Sequence, residues 1–61
     1  MKFSVVIRHL QLHAEGFESN VRAAEHVGDA AQAKESSSVA AEFRAAIAVL
    51  EEKAKANNQA H

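Results

Sequence analysis

Two histidines, His9 and His13, are the first side chains in this sequence whose type and spacing could support chemistry. Four residues apart on a helix, two imidazoles lie on one face and can bind the same zinc ion. A third ligand would be needed one turn further along, but Gly16 and Phe17 occupy those positions. We therefore interpret both histidines as partly exposed surface residues, and we predict no metal site.

Three arginines raise a second possibility, the binding of RNA or of an anionic nucleotide. Arg44 and Glu18 flank the expected helix contact on the same side, so we expect them to pair. Arg22 has Glu18 and Glu25 as helical neighbours, which leaves Arg8 as the uncommitted cation. With a formal charge of -1 and both signs interspersed, the chain should attract phosphate only weakly. Binding of RNA or nucleotide through Arg8 and neighbouring basic groups is therefore the alternative function.

The residue types that catalysis requires do not form a recognisable set. The chain has no cysteine, and neither a Gly-rich phosphate loop nor a nucleophile with its base can be argued from the sequence. The sequence therefore predicts a protein that is not an enzyme and needs no cofactor. The apolar run from Phe3 to Ile7 is too short for a signal peptide, and no run reaches the length of a membrane span. We expect a cytoplasmic protein.

The elements that must position these residues are two helices joined near the middle of the 61-residue chain. The absence of proline and the presence of only two glycines favour helix almost throughout. Gly28 can take the left-handed conformation that ends a helix, and Asp29 can cap the next helix, with Gln32 completing a capping box. We predict helix one at about residues 5–27 with Ser4 as its N-cap, a turn at 28–29, helix two at about residues 30–56, and a frayed tail at 57–61.

Apolar residues recur on both predicted helices at alternating steps of four and three, the spacing of a heptad seam. Folding the chain back at the turn brings the two seams together, so that large residues face small ones. The serines at 36–38 leave a second possibility open, in which residues 28–38 form a loop and Ser38 caps a shorter helix. The seam residues are Phe3, Ile7, Leu10, Ala14, Phe17, Val21, Ala24 and Gly28 on helix one, and Ala33, Ser36, Ala40, Phe43, Ile47, Leu50 and Ala54 on helix two.

Two further apolar sets lie outside the seams and carry the functional prediction. The first is a stripe on the face of helix one opposite its seam, and we predict that another chain docks there. Gly16 in this stripe supports the prediction of docking, because an exposed glycine within a helix costs about 1 kcal/mol relative to alanine and often marks a close approach by another backbone. The second set borders the seams and widens them toward the face of a bundle core. The predicted partner-binding residues are Val5, Arg8, His9, Leu12 and Gly16, and the predicted oligomer interface comprises Val6, Val27, Val39 and Ala46.

The whole chain, residues 1–61, is predicted to form one all-α domain, an antiparallel two-helix hairpin that self-associates, most simply as a dimeric four-helix bundle. The expected function is that of a small interaction protein that binds, and inhibits or bridges, another macromolecule. Its expected partners are a second copy of itself and a protein, not a membrane. Hairpin dimers of this size occur among phage and plasmid regulators, an analogy of fold alone. The sequence leaves open whether the stripe on helix one binds a copy or a foreign target.

Overall fold

The computed structural model describes residues 3–59, with side chains described through residue 56, and it forms an antiparallel helical hairpin. Helix α1 spans Phe3–His26 and helix α2 spans Ala30–Gln59. The two helices pack against each other in an elongated body whose principal extents are 51 × 14 × 13 Å. The predicted all-α hairpin is therefore confirmed.

The end of α1 is fixed by the backbone conformation of Gly28. This residue has a φ of 77°, the left-handed conformation that glycine adopts without a steric cost. The Gly28 N–H donates to the carbonyl of Glu25 at 3.2 Å, and the Asp29 N–H donates to the carbonyl of Ala24 at 2.8 Å. These are the two hydrogen bonds of a Schellman motif, which satisfies carbonyls that would otherwise lack a partner at the helix end.

The same Asp29 begins α2. Its carbonyl accepts from the N–H of Ala33 at 3.0 Å, and its Oδ1 accepts from the N–H of Gln32 at 3.1 Å. The predicted N-cap is therefore confirmed. The second half of the predicted capping box is wrong, because the Asp29 N–H is already donated to Ala24. The side chain of Gln32 instead donates from Nε2 to Ser36 Oγ at 3.0 Å.

Both helices reach beyond their predicted outer ends. α1 begins at Phe3, so Ser4 lies within the helix and is not its N-cap. Phe3 is half-buried, and tertiary packing of this kind is what usually extends a helix past a weak local signal. α2 continues to Gln59, so residues 57–59 of the predicted frayed tail are helical, while residues 60–61 lie outside the described part. Because neither proline nor glycine follows Gly28, no local signal ends α2 earlier.

Residues 30–38 form the first part of α2, and the alternative in which they form a loop is wrong. Ser36 packs in the seam as a helical residue, and only 1% of its surface is exposed. Its hydroxyl accepts the hydrogen bond from Gln32 one turn earlier, so the buried polar atom is satisfied inside the helix. The other two serines of the triple are exposed.

The buried core of the hairpin is small. Its buried apolar residues are Ala14, Ala24, Ala40 and Ile47, of which only Ile47 has a large side chain. Apart from these and Ser36, the seam residues are half-buried, and Gly28 is exposed. Small residues at the contact let two helices approach closely, but they leave the larger side chains at its edges. All three phenylalanines are accordingly half-buried.

The two glycines provide a matched test of this fold. Gly28→Ala should lower the free energy of unfolding by about 1–2 kcal/mol, because the left-handed conformation disfavours an L side chain. Gly16→Ala should raise it by up to about 1 kcal/mol, since Gly16 is helical and a Cβ placed there meets nothing within 4 Å.

Urea denaturation at one fixed protein concentration measures both changes. Tolerance of Gly28→Ala would contradict the turn geometry. A loss of stability in Gly16→Ala would instead show that another backbone packs against this residue.

Candidate protein-interaction surfaces

One side of the hairpin, which we call the charged flank, carries an ion pair between the helices. Arg44 donates from Nη2 to Glu18 Oε1 at 2.8 Å and from Nε to Glu18 Oε2 at 3.2 Å. The pairing predicted from the sequence is confirmed, and its bidentate geometry is the strongest form for these two groups. Residues at seven-residue spacing share this flank, namely Gln11 and Glu25 on α1 and Ser37 and Glu51 on α2.

The ion pair changes the protonation equilibria of both its members. The hydrogen bond from Arg44 lowers the pKa of Glu18 below its ordinary value of 4.5, and attraction to Arg44 and Arg22 acts in the same direction against desolvation. The same hydrogen bond raises the pKa of Arg44. Two of the three arginines therefore act on a single carboxylate, so this flank is a compensated surface and not a bare cationic one.

The opposite side of the hairpin, which we call the aromatic flank, carries a stack of three rings. The centroids of His13 and Phe43 lie 5.7 Å apart with an interplanar angle of 19°, and those of Phe17 and Phe43 lie 5.7 Å apart at 21°. Phe17 and Phe43 are half-buried, whereas His13 is exposed and extends the stack toward solvent. The flank also comprises two rows at seven-residue spacing beside the seams, namely Val6, His13, Asn20 and Val27 in the first half of the chain and Gln32, Val39 and Ala46 in the second.

The four residues predicted as an oligomer interface all belong to the rows of the aromatic flank. Val6 and Val39 are half-buried, Ala46 is exposed, and Val27 retains 75% of its surface exposure. The structure thus gathers these residues on one side of the hairpin and places the ring stack beside them. From the sequence, Phe17 and Phe43 are seam residues and His13 is a possible metal ligand, so residue spacing alone does not connect the three rings.

The predicted partner-binding residues lie on the surface of α1 that faces away from α2. We call Val5, His9, Leu12 and Gly16 the outer stripe, with Arg8 at its margin, and all five residues are exposed. The exposed fraction is 53% for Val5 and 49% for Leu12. Gly16 has open space where a side chain would stand. The packing of the hairpin therefore makes little use of these apolar groups.

A shallow depression joins the outer stripe to the aromatic flank. It has a volume of about 270 Å³ and is lined by Leu12, His13, Gly16, Phe17 and Asn20. Gly16 has no side chain to fill the space between Leu12 on the outer stripe and Phe17, so the depression is open there. The sequence predictions treat these two surfaces separately, although His13 and Asn20 fall in the same heptad row as Val6 and Val27 of the predicted oligomer interface.

Val49 is an exposed apolar residue that the sequence predictions do not include. It retains 55% of its surface exposure and lies next to the half-buried Leu50. Because it follows Ala46 by three residues, it lies one helical turn from the aromatic flank and extends the apolar surface there. That spacing from Ala46 was the available signal.

The two histidines that opened the question of metal binding have other environments. Within residues 3–59, no three histidine, cysteine, aspartate or glutamate side chains come together as a metal site. His9 is exposed on the outer stripe, and His13 stacks on Phe43. In the same described part of the chain, neither helix has the length and apolar character needed to cross a membrane.

Comparisons of the chain with models of known families, with curated proteins and with solved structures find no match. We therefore infer the function from three surfaces of the hairpin. These surfaces are the charged flank, the aromatic flank and the outer stripe.

Arg44→Gln should raise the pKa of Glu18 toward its ordinary value, because it removes both the hydrogen bond and the charge. An NMR titration of the Glu18 carboxyl carbon in the two proteins measures the change. Since the folded-state pKa is lowered, the pair stabilises the fold above the unfolded-state pKa. This stability is lost as the pH falls through the folded-state pKa.

Arg22→Gln is the control for this titration. Arg22 acts on Glu18 through charge alone and is the smallest of the contributing causes, so its removal should move the pKa of Glu18 less than Arg44→Gln does. Equal pKa values in the wild-type and Arg44→Gln proteins would contradict the ion pair.

Proposed function

We propose that this chain is a non-enzymatic helical interaction protein that docks another macromolecule, most simply a protein, on the outer stripe of α1. The observation that carries the proposal is the exposure of Val5 and Leu12 on one side of a helix whose other side already packs against α2. Single exposed apolar residues are common on protein surfaces. Here two of them share one helical face with an open glycine, which is the arrangement of a helix that packs on two sides.

The spacing of the outer stripe suits contact with another helix. Val5, Leu12 and Gly16 recur at heptad and helical steps, so they can enter the groove of a facing helix. Gly16 permits a close approach of backbones because no Cβ stands in the way and the position is open. Burial of Leu12 alone would contribute roughly 1–2 kcal/mol, given that about half of its surface is still in water.

The polar groups in the outer stripe and at its margin would contribute to recognition of the partner. Arg8 and His9 are exposed beside Val5 and Leu12, where a partner with acidic residues could pair with them at the rim of an apolar contact. Charged groups at a rim contribute more to the rate and specificity of association than to affinity. A role as an accessory regulator that inhibits or bridges its target fits a protein whose only chemistry is binding.

Self-association belongs to the same proposal. The hairpin leaves its large seam residues half-buried, and small cores provide little net stability by themselves. A dimeric four-helix bundle is the simplest assembly that covers them. We also propose a cytoplasmic location, because the chain has no cysteine and its fold does not depend on an oxidising compartment.

Leu12→Glu should abolish binding of the partner while leaving helicity and melting temperature nearly unchanged. The residue is 49% exposed in the hairpin, so the carboxylate is hydrated in the free protein and is stranded in an apolar contact in the complex. Ala45→Glu is the matched control, because it adds the same charge at an exposed position of α2 and should preserve binding.

The partner is first captured from an extract of the native host on the tagged wild-type protein and identified. It is then titrated against the wild-type protein and the two variants. Equal binding of Leu12→Glu and wild type would remove the outer stripe from the interaction, and unfolding of Leu12→Glu would place this residue in the core. A steep loss of binding with rising salt would favour the alternative, capture of RNA or an anionic nucleotide through Arg8.

A further inference from the structure

We infer that a second copy of this chain packs on the aromatic flank, with the stacked rings of His13, Phe43 and Phe17 near the centre of the contact. The inference rests on the self-association included in the proposed function, and it adds the face, the occupant and the residues at the centre. It also assigns the two apolar surfaces different occupants, because a copy on the aromatic flank leaves the outer stripe for a foreign protein.

The area of exposed surface is the first argument for an occupant of this size. The chain exposes 4635 Å², whereas a folded monomer of 6.6 kDa exposes about 3,900 Å². An elongated body exposes more surface than a compact monomer, and the difference of roughly 700 Å² is of the order of the approximately 800 Å² that each partner buries in a stable interface. One side of a body 51 Å long and 14 Å wide offers a similar area, so one flank is large enough for contact with a second copy.

The distribution of charge is the second argument, and it selects both the flank and the partner. An interface between two identical copies related by a two-fold axis requires a patch that complements itself. The charged flank suits this poorly, because its charged residues outside the Glu18–Arg44 pair are both acidic, so two copies would bring together surfaces of the same sign. On the aromatic flank, the three residues of the α2 row, Gln32, Val39 and Ala46, carry no formal charge, and the next residue at the same spacing is Lys53. Apolar side chains complement copies of themselves.

The kind of residue on the aromatic flank is the third argument. Phe17 and Phe43 are half-buried, so each presents part of a ring to solvent, and His13 continues the same stack. Aromatic groups are typical of the centre of an interface. Around the rings, the small Ala46 permits close approach, while Asn20 provides a polar group that can specify the register of a helical interface.

The geometry of α1 keeps the proposed copy away from most of the outer stripe. At 100° per residue, Leu12 points away from the seam while His13 lies beside it, so the two residues face different directions. Gly16 lies between them, in the depression lined by both. Leu12 and Val5 therefore stay accessible in the dimer, and the two functions of the hairpin do not compete for the same residues.

The test compares two exposed alanines of α2 that lie on different sides of the helix. Ala46 belongs to the aromatic flank, and Ala48 lies toward the side of Arg44. Ala46→Lys places a charge in the proposed interface, yet Glu42 lies four residues before it and favours the helix itself. Ala48→Lys adds the same charge outside the interface. Sedimentation equilibrium between about 1 and 100 µM, with circular dichroism of the same samples, gives the dimer constant and the helicity.

We expect a wild-type dimer at micromolar concentration, dimerisation weakened at least about tenfold by Ala46→Lys, and an unchanged constant for Ala48→Lys. Loss of helix in Ala46→Lys that recovers at high protein concentration also supports the proposal, provided that Ala48→Lys keeps its helix. Equal dimerisation of Ala46→Lys and wild type overturns the assigned face. Equal weakening by both variants, or a wild-type protein that is monomeric throughout, overturns it as well.

Isotope-filtered nuclear Overhauser effects in a mixed sample of labelled and unlabelled wild-type protein locate the contact independently. Signals between copies at the ring of Phe43 are expected, whereas signals between copies at the methyl groups of Leu12 would place the second copy on the outer stripe instead. Neither result depends on capture of a foreign partner, so failure of this inference is distinguishable from failure of partner binding at Leu12.

Discussion

The fold depends on how one residue, Asp29, serves two helices at once. Its N–H closes the hydrogen bonds that end α1, and its carbonyl and carboxylate accept the first hydrogen bonds of α2. This sharing is possible only because Gly28 adopts a positive φ and reverses the chain immediately before it. No residue is left over for an independent loop, so the two helices must leave the turn side by side. The heptad seams of the two halves then meet along the length of the hairpin.

The residues at the contact determine how much of each seam is buried. Alanines at 14, 24 and 40 and the serine at 36 are buried, which is the pattern of two helices that approach closely through small side chains. Close approach buries the small residues and leaves the large ones at the edges of the contact. There Phe17 and Phe43 stack on each other and are half-buried. A core of this kind specifies the pairing of the helices, but it covers little large apolar surface. The rest of that surface is exposed in the hairpin.

The remaining surface is divided by chemistry into three parts. The charged flank compensates its own charges through Glu18 and Arg44, so it is best suited to face water. The aromatic flank and the outer stripe share the apolar residues, and the depression at Gly16 connects them. Helix α1 thus packs against α2 on one side and leaves apolar residues exposed on two further sides.

The sequence alone determined the features that follow from residue spacing along each helix and from local hydrogen bonding at the turn. Heptad spacing identified both seams, glycine and aspartate chemistry identified the turn, and opposite charges beside the seam identified the pairing of Glu18 with Arg44. The positions of Val5 and Leu12 opposite a seam likewise predicted their exposure.

What the sequence could not provide were quantities set by the distance between the helices. The half-burial of Phe17 and Phe43, the stacking of His13 on Phe43 and the burial of Ser36 with its hydrogen bond from Gln32 are of this kind. The length of α2 beyond residue 56 also differed, because no local signal ends that helix. Local hydrogen bonding and side-chain spacing are encoded within a few residues, whereas exposure at the edge of a contact depends on how closely two distant segments pack.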